Sequence, residues 1–176
     1  MQDPQDQVAR NVEIHDRIAT SYEQGHGEIF NEVEQRRLRN GLARARGLLG
    51  SAGEPLALDY GCGSGNLTRH LLQLDFSVVA ADVSRNFLNE VNRKYPKAQT
   101  VHLGADGQEG LQNHSFDLIG VYSVLHHIPD YLQAVRFLAG LCKPGGLLFL
   151  DHEPTPESWT PQPDYLEFLK KARRMD

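Results

Sequence analysis

The spacing of apolar residues divides the chain into two parts that meet near residue 55. In the first part apolar residues recur at three- and four-residue steps, as Ile29 and Val33 do, which is typical of amphipathic helices. Gly25 and Gly27 interrupt this pattern. The sequence therefore predicts helical stretches on either side of these glycines and a third helix over residues 38–49.

In the second part, short β-rich runs alternate with helical patterns. The predicted strands cover residues 56–60, 76–83, 100–106, 116–123 and 147–153, and the helices between them 67–74, 87–95 and 131–141. Because these strands are apolar along their whole length, they indicate a mostly parallel sheet covered on both faces. The predicted fold class is a doubly wound α/β domain over residues 51–176, preceded by a helical segment over residues 1–50.

Composition and charge narrow the classes of protein. The chain has 176 residues, of which 40% are hydrophobic, and it has no apolar run near the length of roughly 20 residues that crosses a bilayer. The start lacks the basic and then apolar order of a secretory signal, so we expect a cytoplasmic protein without membrane contact. A net charge of −5 disfavours nucleic-acid binding. Cys62 and Cys142 have no metal-site or framework spacing and are predicted to be free thiols.

Chemistry is expected at the carboxyl ends of the parallel strands. There, LDYGCGSGN runs from the first strand into a helix, and such a glycine-rich turn lets a ligand approach the backbone. A dinucleotide site would have a third glycine three residues after Gly63, but Asn66 stands there. The loop therefore suits a nucleotide and disfavours NAD.

Carboxylates at neighbouring strand ends point to a cationic nucleoside without phosphates, such as S-adenosylmethionine. Asp59 would repel a pyrophosphate but attract an ammonium group, although it could instead cap the turn or the helix. Asp82 could accept hydrogen bonds from both ribose hydroxyls. Asp106 could accept from an adenine amino group while Val83 lies against the ring, although an Asp before Gly is also a common turn former.

The segments LDYGCGSGN, AADVS, GADG, FDLIGVYSVLHHIPD and LCKPGGLLFLDHE follow one another between residues 56 and 153. In this set the chain resembles the class I S-adenosylmethionine-dependent methyltransferases. The resemblance implies a Rossmann-like fold and methyl transfer from S-adenosylmethionine to a small-molecule acceptor, with S-adenosylhomocysteine as product. The predicted cofactor-binding residues are Tyr22, Asp59, Gly61, Cys62, Gly63, Asp82, Val83, Ala105, Asp106, Gly107, Tyr122 and Ser123.

The resemblance also implies that the N-terminal segment closes over the cofactor, with Tyr22 and His26 as contacts. Members of this class usually have seven strands, and only five are found here. We therefore expect a C-terminally short domain lacking the last two strands, whose open sheet edge a second copy of the chain or the last helix would cover.

A general base is the remaining catalytic requirement for an oxygen or nitrogen acceptor. His127 is the first candidate, ahead of His126 and His152, and Asp130 is predicted to cap the following helix. These histidines and Glu153 lack the spacing of metal ligands, so no metal is expected. O-, N- and C-methylation all remain open, and the alternatives are a non-catalytic cofactor-binding module and an NAD-dependent oxidoreductase.

Overall fold

The computed structural model describes residues 22–50, 53–104, 107–112, 115–154 and 163. Its five strands are β1 (Leu56–Tyr60), β2 (Ser77–Asp82), β3 (Gln99–His102), β4 (Phe116–Tyr122) and β5 (Cys142–Asp151). All neighbouring strands are parallel, in the order β3-β2-β1-β4-β5. The strand order reverses beside β1, which places a ligand-binding crevice between the carboxyl ends of β1 and β4.

Helices cover both faces of the sheet, as a doubly wound fold requires, and two of those described precede β1 in the chain. They are α1 (Tyr22–Gly25), α2 (Glu32–Leu48), α3 (Asn66–Gln73), α4 (Arg85–Lys94) and α5 (Tyr131–Leu141), with a 3₁₀ turn at Leu125–His127. Asp130 accepts a hydrogen bond from the Gln133 N–H and so caps α5, which confirms that prediction. The predicted α/β fold class is confirmed as well, while the absence of two further strands stays a prediction.

The helical boundaries near the N-terminus differ from the prediction. A separate helix over residues 38–49 is wrong, because a single helix, α2, begins at Glu32. The Asn31 side chain accepts a hydrogen bond from the Glu34 N–H, which satisfies a free donor of the first turn and starts the helix earlier. The bidentate ion pair between Arg37 and Glu34, which are three residues apart, supports the same turn.

Two strand boundaries also need correction. The third strand ends at His102 rather than at residue 106, and residues 105 and 106 lie outside the described part of the chain. The fifth strand begins at Cys142 rather than at residue 147. Phe116 pairs with Cys142 but Leu118 with Leu147, so residues 143–146 form a bulge near the start of the strand, with Gly145 at φ +80°.

Both faces of the sheet are buried, which explains why the strands are apolar without alternation. One face packs on α2, α3 and α4 through residues such as Leu42, Leu71 and Val91. The other packs on α5 through Leu138 and Leu141. Both cysteines are free thiols, as predicted. A search of the described helices finds none with the length and apolar character needed to cross a membrane.

Candidate functional site

A cavity of about 1080 Å³, which includes the part of its mouth open to solvent, lies over the carboxyl ends of β1, β2 and β4. We call it the strand-end cavity. Ten of the predicted site residues line it, namely Tyr22, Gly61, Cys62, Gly63, Asp82, Val83, Gly107, Tyr122, Ser123 and His127. Nine further lining residues were not predicted, namely Ile29, Phe30, Tyr60, Ser64, Asn66, Phe87, Leu103, Val124 and Ile128. The predicted residues Ala105 and Asp106 lie outside the described part of the chain.

The glycine loop between β1 and α3 forms the floor of the cavity. Gly61, Gly63 and Gly65 all adopt positive φ values, of 69°, 49° and 91°. A Cβ on Gly61 would lie 2.6 Å from Val124 Cγ2, whereas a Cβ on Gly63 would meet no heavy atom within 4 Å. Gly61 is therefore required by packing, while Gly63 exposes its backbone to open space where a ligand can approach.

Asp82 connects this loop to the next strand end. The carboxylate is buried, with one oxygen accepting a hydrogen bond from the Gly63 N–H at 2.9 Å and the other from the Ser84 N–H at 2.8 Å. Each carboxylate oxygen has a second lone pair, so Asp82 can hold the loop and still accept from a ligand in the cavity.

Asp59 occupies a different position from Asp82. It does not line the cavity, and its Oδ2 accepts hydrogen bonds from the Thr68 N–H at 2.8 Å and the Thr68 hydroxyl at 2.6 Å. Burial raises the pKa of Asp59 to about 7. These contacts are those of a cap on the first turn of α3, which was the alternative interpretation; the binding role of Asp59 stays a prediction.

Two polar side chains in the loop have no partner among the described residues. Ser64 Oγ and both polar atoms of the Asn66 amide are buried without a hydrogen bond, and both residues line the cavity. Buried polar groups in folded proteins are nearly always paired. Their unmet hydrogen bonds indicate where a polar ligand would bind. Ser64 follows Gly63 directly and Asn66 begins α3, so attention to the loop residues other than glycine would have found both.

Residues 22–31, which we call the closing segment, cover the cavity from the other side. The Tyr22 ring meets Phe30 and Phe87 edge-on, at centroid distances of 6.3 and 5.4 Å. Burial, followed by the charges of Glu28 and Asp82, raises the pKa of Tyr22. His26 stacks on Tyr22 at 4.2 Å but does not itself line the cavity.

A polar cluster joins α2 to the ends of β4 and β5. Tyr122 donates a hydrogen bond to Glu34 at 2.8 Å, and Arg37 contacts the carboxylates of both Glu34 and Asp151. Hydrogen bonds from Arg37 lower the pKa of Glu34, while burial and then Glu34 raise the pKa of Tyr122. The cluster holds the phenol ring of Tyr122 at the cavity wall and stacks it on His152 at 4.9 Å.

The wall beyond β4 contains the candidate base. Ser123 has φ +59°, a strained value for a residue other than glycine, and the chain then enters the 3₁₀ turn that carries His127. The His127 N–H donates to the Val124 carbonyl, and the His126 and His127 rings lie 4.0 Å apart. Within the described ranges, no cluster of three or more His, Cys, Asp or Glu residues is arranged to hold a metal ion.

Comparisons with known proteins agree on one family. The family described as "Methyltransferase domain" matches residues 58–150, more than half of the chain. The Ubiquinone biosynthesis O-methyltransferase of Xanthomonas campestris pv. campestris is 34% identical over 98 residues, which are 53% of this chain and 41% of that protein. The protein of the same name from Vibrio cholerae is 28% identical over 131 residues, which are 72% of this chain and 51% of its own length. The chain thus spans about half the length of these relatives.

Solved structures share the fold. The N-methyltransferase NodS from Bradyrhizobium japonicum WM9, in complex with S-adenosylhomocysteine, superimposes with a TM-score of 0.63 at 20% identity. The match covers 79% of this chain and 71% of NodS. At this identity the likeness concerns the fold alone.

Proposed function

Because the chain belongs to the methyltransferase domain family, we propose that it transfers a methyl group from S-adenosylmethionine to a small-molecule acceptor. The observation that carries the proposal is the floor of the strand-end cavity, where an open glycine loop stands beside the buried carboxylate of Asp82. This combination offers close backbone approach together with negative charge.

The residues present fit the cofactor. Ser64 and Asn66 have unmet hydrogen bonds that suit the amino-acid end, Asp82 suits the ribose hydroxyls, and the side chains of Val83 and Leu103 provide an apolar surface for a base. None of the described lining residues is a lysine or an arginine. The cavity is therefore suited to a cationic nucleoside and poorly suited to a pyrophosphate, which disfavours the NAD-dependent alternative.

We further propose that the predicted cofactor-binding set acts together. Gly61, Cys62 and Gly63 would contact the methionine end, with the charge of Asp59 behind them. Residues 105–107 would complete the adenine side, where Tyr60 donates a hydrogen bond to the Gly107 carbonyl at 3.1 Å. The wall formed by Tyr122 and Ser123 would face the sulfonium.

In this mechanism the protein itself forms no covalent bond with the methyl group. When bound, the sulfonium supplies a methyl group already activated for in-line displacement. The residues of the chain align the acceptor and exclude water, and such alignment can contribute roughly 7–11 kcal/mol. His127 is the candidate base. A nitrogen of its ring would take the proton from the hydroxyl group of the methyl acceptor.

The acceptor we propose is an uncharged small molecule with a hydroxyl group. The relatives are named O-methyltransferases, and Ile29, Phe30 and Ile128 give the cavity an apolar wall. A charged acceptor would leave its own charge unpaired there.

The remaining expectations extend this proposal to the whole chain. Residues 1–50 would act as a lid on a catalytic domain over residues 51–176. A second copy would cover the β5 edge, where Leu150 is exposed. We propose that the protein works in the cytoplasm and does not bind nucleic acid, as its negative charge suggests.

Calorimetric titration tests the function. S-adenosylmethionine and S-adenosylhomocysteine should bind, and NAD should not. We expect Asp82→Asn to weaken S-adenosylhomocysteine binding about 10- to 100-fold, because hydrogen bonds to a charged group contribute about 1.5–3 kcal/mol. Asp75→Asn is the matched control, since Asp75 is exposed and does not line the cavity. Binding of NAD alone, or an equal affinity of the Asp82→Asn protein, would contradict the proposal.

Turnover separates an enzyme from a non-catalytic binding module. We expect radiolabelled methyl transfer from S-adenosylmethionine to a phenolic acceptor pool, with loss of most of the rate in His127→Ala. Asp75→Asn again serves as the control, because Asp75 is exposed and does not line the cavity. Cofactor binding without transfer to any hydroxyl, amine or carbon acceptor would favour the binding module.

A further inference from the structure

Glu153 lies just beyond β5 and makes four contacts with the segment that follows β4. One oxygen accepts hydrogen bonds from the N–H groups of Val124 and Leu125, at 2.7 and 2.8 Å. The other accepts from the His126 N–H at 3.2 Å and contacts His126 Nδ1 at 2.8 Å. A single carboxylate thus satisfies three successive backbone donors that the start of a 3₁₀ turn leaves open.

This arrangement compensates a strained backbone. The residues that directly follow β4 and β5 have left-handed backbone conformations, with φ +59° at Ser123 and φ +56° at His152. Left-handed values are unfavourable in residues with a side chain and persist only where the surroundings fix them. The Ser123 N–H donates to the Asp151 carbonyl at 3.0 Å, so four consecutive amides of the β4 end are held by residues 151–153.

The held segment forms a wall of the strand-end cavity. Val124 packs its side chain against the backbone of Gly61 in the glycine loop, and the His127 N–H is bound to the Val124 carbonyl. Glu153 itself does not line the cavity. Any displacement of Val124 would therefore move both the loop floor and the ring of His127.

We propose that Glu153 is a positioning residue, whose carboxylate fixes the 3₁₀ turn and through it the cavity wall that Val124 and His127 form. The effect on ligand binding rests on the proposed function, whereas the effect on the backbone does not. The negative charge of the Glu153 carboxylate matters for this role, because charge-assisted hydrogen bonds from backbone amides are about twice as strong as neutral ones.

The first test measures the backbone without a ligand. Hydrogen–deuterium exchange of a peptide covering residues 123–128 should speed up in Glu153→Ala and less in Glu153→Gln, whose neutral oxygen still accepts from Val124 and Leu125. Glu90→Gln is the matched control, because it removes an equal charge from an ion pair with Arg93 outside the cavity. Unchanged exchange in Glu153→Ala would overturn the proposal.

The second test measures binding of S-adenosylhomocysteine by calorimetry on the full chain. We expect about a tenfold loss of affinity in Glu153→Ala and a smaller loss in Glu153→Gln, in line with the usual strength of charge-assisted bonds. Val78→Ala, which removes a buried side chain near the amino end of β2 and away from the cavity, should lower the unfolding temperature without changing this affinity.

The outcomes separate the two proposals. If the parent protein does not bind S-adenosylhomocysteine, the proposed function fails, and the exchange data alone decide the role of Glu153. If the parent binds and Glu153→Ala binds equally well, Glu153 does not position the wall and the function stands. If Val78→Ala loses as much affinity as Glu153→Ala, general destabilisation explains the loss, which also overturns the proposal.

Discussion

The two sides of the strand-end cavity are built by different interactions. On the sheet side, buried carboxylates such as Asp82 accept hydrogen bonds from backbone amides, and three glycines of the loop hold positive φ values. On the closing side, Tyr22 is held by edge contacts between rings, and Glu23 pairs with Lys94 through side chains that are 45% and 25% exposed. Hydrogen bonds to buried charges contribute about 1.5–3 kcal/mol each, whereas exposed ion pairs contribute about 0–1 kcal/mol.

This difference suits the lid role proposed above for the N-terminal segment. If that proposal holds, the sheet side has its ligand contacts ordered before a ligand arrives, and the closing side would gain further contacts when a ligand fills the space beneath Tyr22 and Phe30. Variants on the two sides should therefore differ in kind, with losses of fold stability on the sheet side and faster ligand release on the closing side.

The largest effect is expected at Gly61. In Gly61→Ala the new Cβ would lie 2.6 Å from Val124 Cγ2, on a backbone with φ +69°. A left-handed alanine and an overpacked contact together should lower the unfolding free energy by about 3 kcal/mol. In the Val124→Ala background, where the clashing methyl groups are gone, the same substitution should cost about half as much. Denaturant unfolding measures both values.

Gly47→Ala provides the contrast for this prediction. Gly47 lies inside α2 with nothing within 4 Å of the added Cβ, so alanine should raise stability by about 0.5–1 kcal/mol. If Gly61→Ala were as harmless as Gly47→Ala, the loop would be adaptable, and the distinction between a fixed and a closing side would fail.

The sheet side was largely predictable from the sequence because its information is local. A strand, a glycine loop and a helix follow one another within residues 56–74, and an apolar strand ending in Asp82 follows directly. The parallel order places these ends together without knowledge of any side-chain contact.

The closing side depended on contacts between distant residues. Phe30 and Phe87 lie 57 positions apart and both border the cavity, yet each has an ordinary apolar helical context. The pairing of Arg37 with Asp151 and of Tyr122 with Glu34 joins residues about 90–115 positions apart. Asp59 is a related case, because its type and position suit a ligand, whereas the partner observed in the structure is Thr68, nine residues later. Its binding role stays a prediction.

A second effect, of about 2–3 kcal/mol between pH 5 and pH 8, is expected from the ionisation of Asp59, since each pH unit over which the folded and unfolded states differ by one proton changes stability by about 1.4 kcal/mol. Its pKa is raised to about 7 in the folded protein by burial, whereas an unfolded chain has a value near 3.9. Between these values the folded state holds a proton that the unfolded state has released, so the stability contribution of Asp59 is lost as the pH rises from about 4 to about 7. Relative to the parent, Asp59→Asn should become more stable over this pH window.

The difference between the two unfolding free energies, measured from pH 5 to pH 8, isolates this group because other titrations cancel. The parent should also release a proton when it binds S-adenosylhomocysteine near pH 7, if the ammonium of the ligand faces Asp59. A pH-independent difference would mean that Asp59 is already ionised at pH 5, and the sheet side would then carry a full negative charge beneath the loop.

The smallest effect is expected at Arg37, in the helix α2 that follows the closing segment. Arg37→Met removes the contacts with Glu34 and Asp151 but keeps much of the aliphatic stem, and the Arg37 side chain is 50% exposed. We expect stability to fall by only about 0.5–1 kcal/mol, and S-adenosylhomocysteine to dissociate about three times faster in stopped-flow displacement. Arg44→Met on the exposed surface of the same helix should change neither quantity.

A salt series sharpens this prediction. Since exposed ion pairs are screened, 1 M salt should speed dissociation from the parent and leave Arg37→Met nearly unchanged. Equal dissociation rates for the parent and Arg37→Met at low salt would show that α2 is held to the sheet by its apolar face alone, and that its ion pairs do not help to retain the ligand.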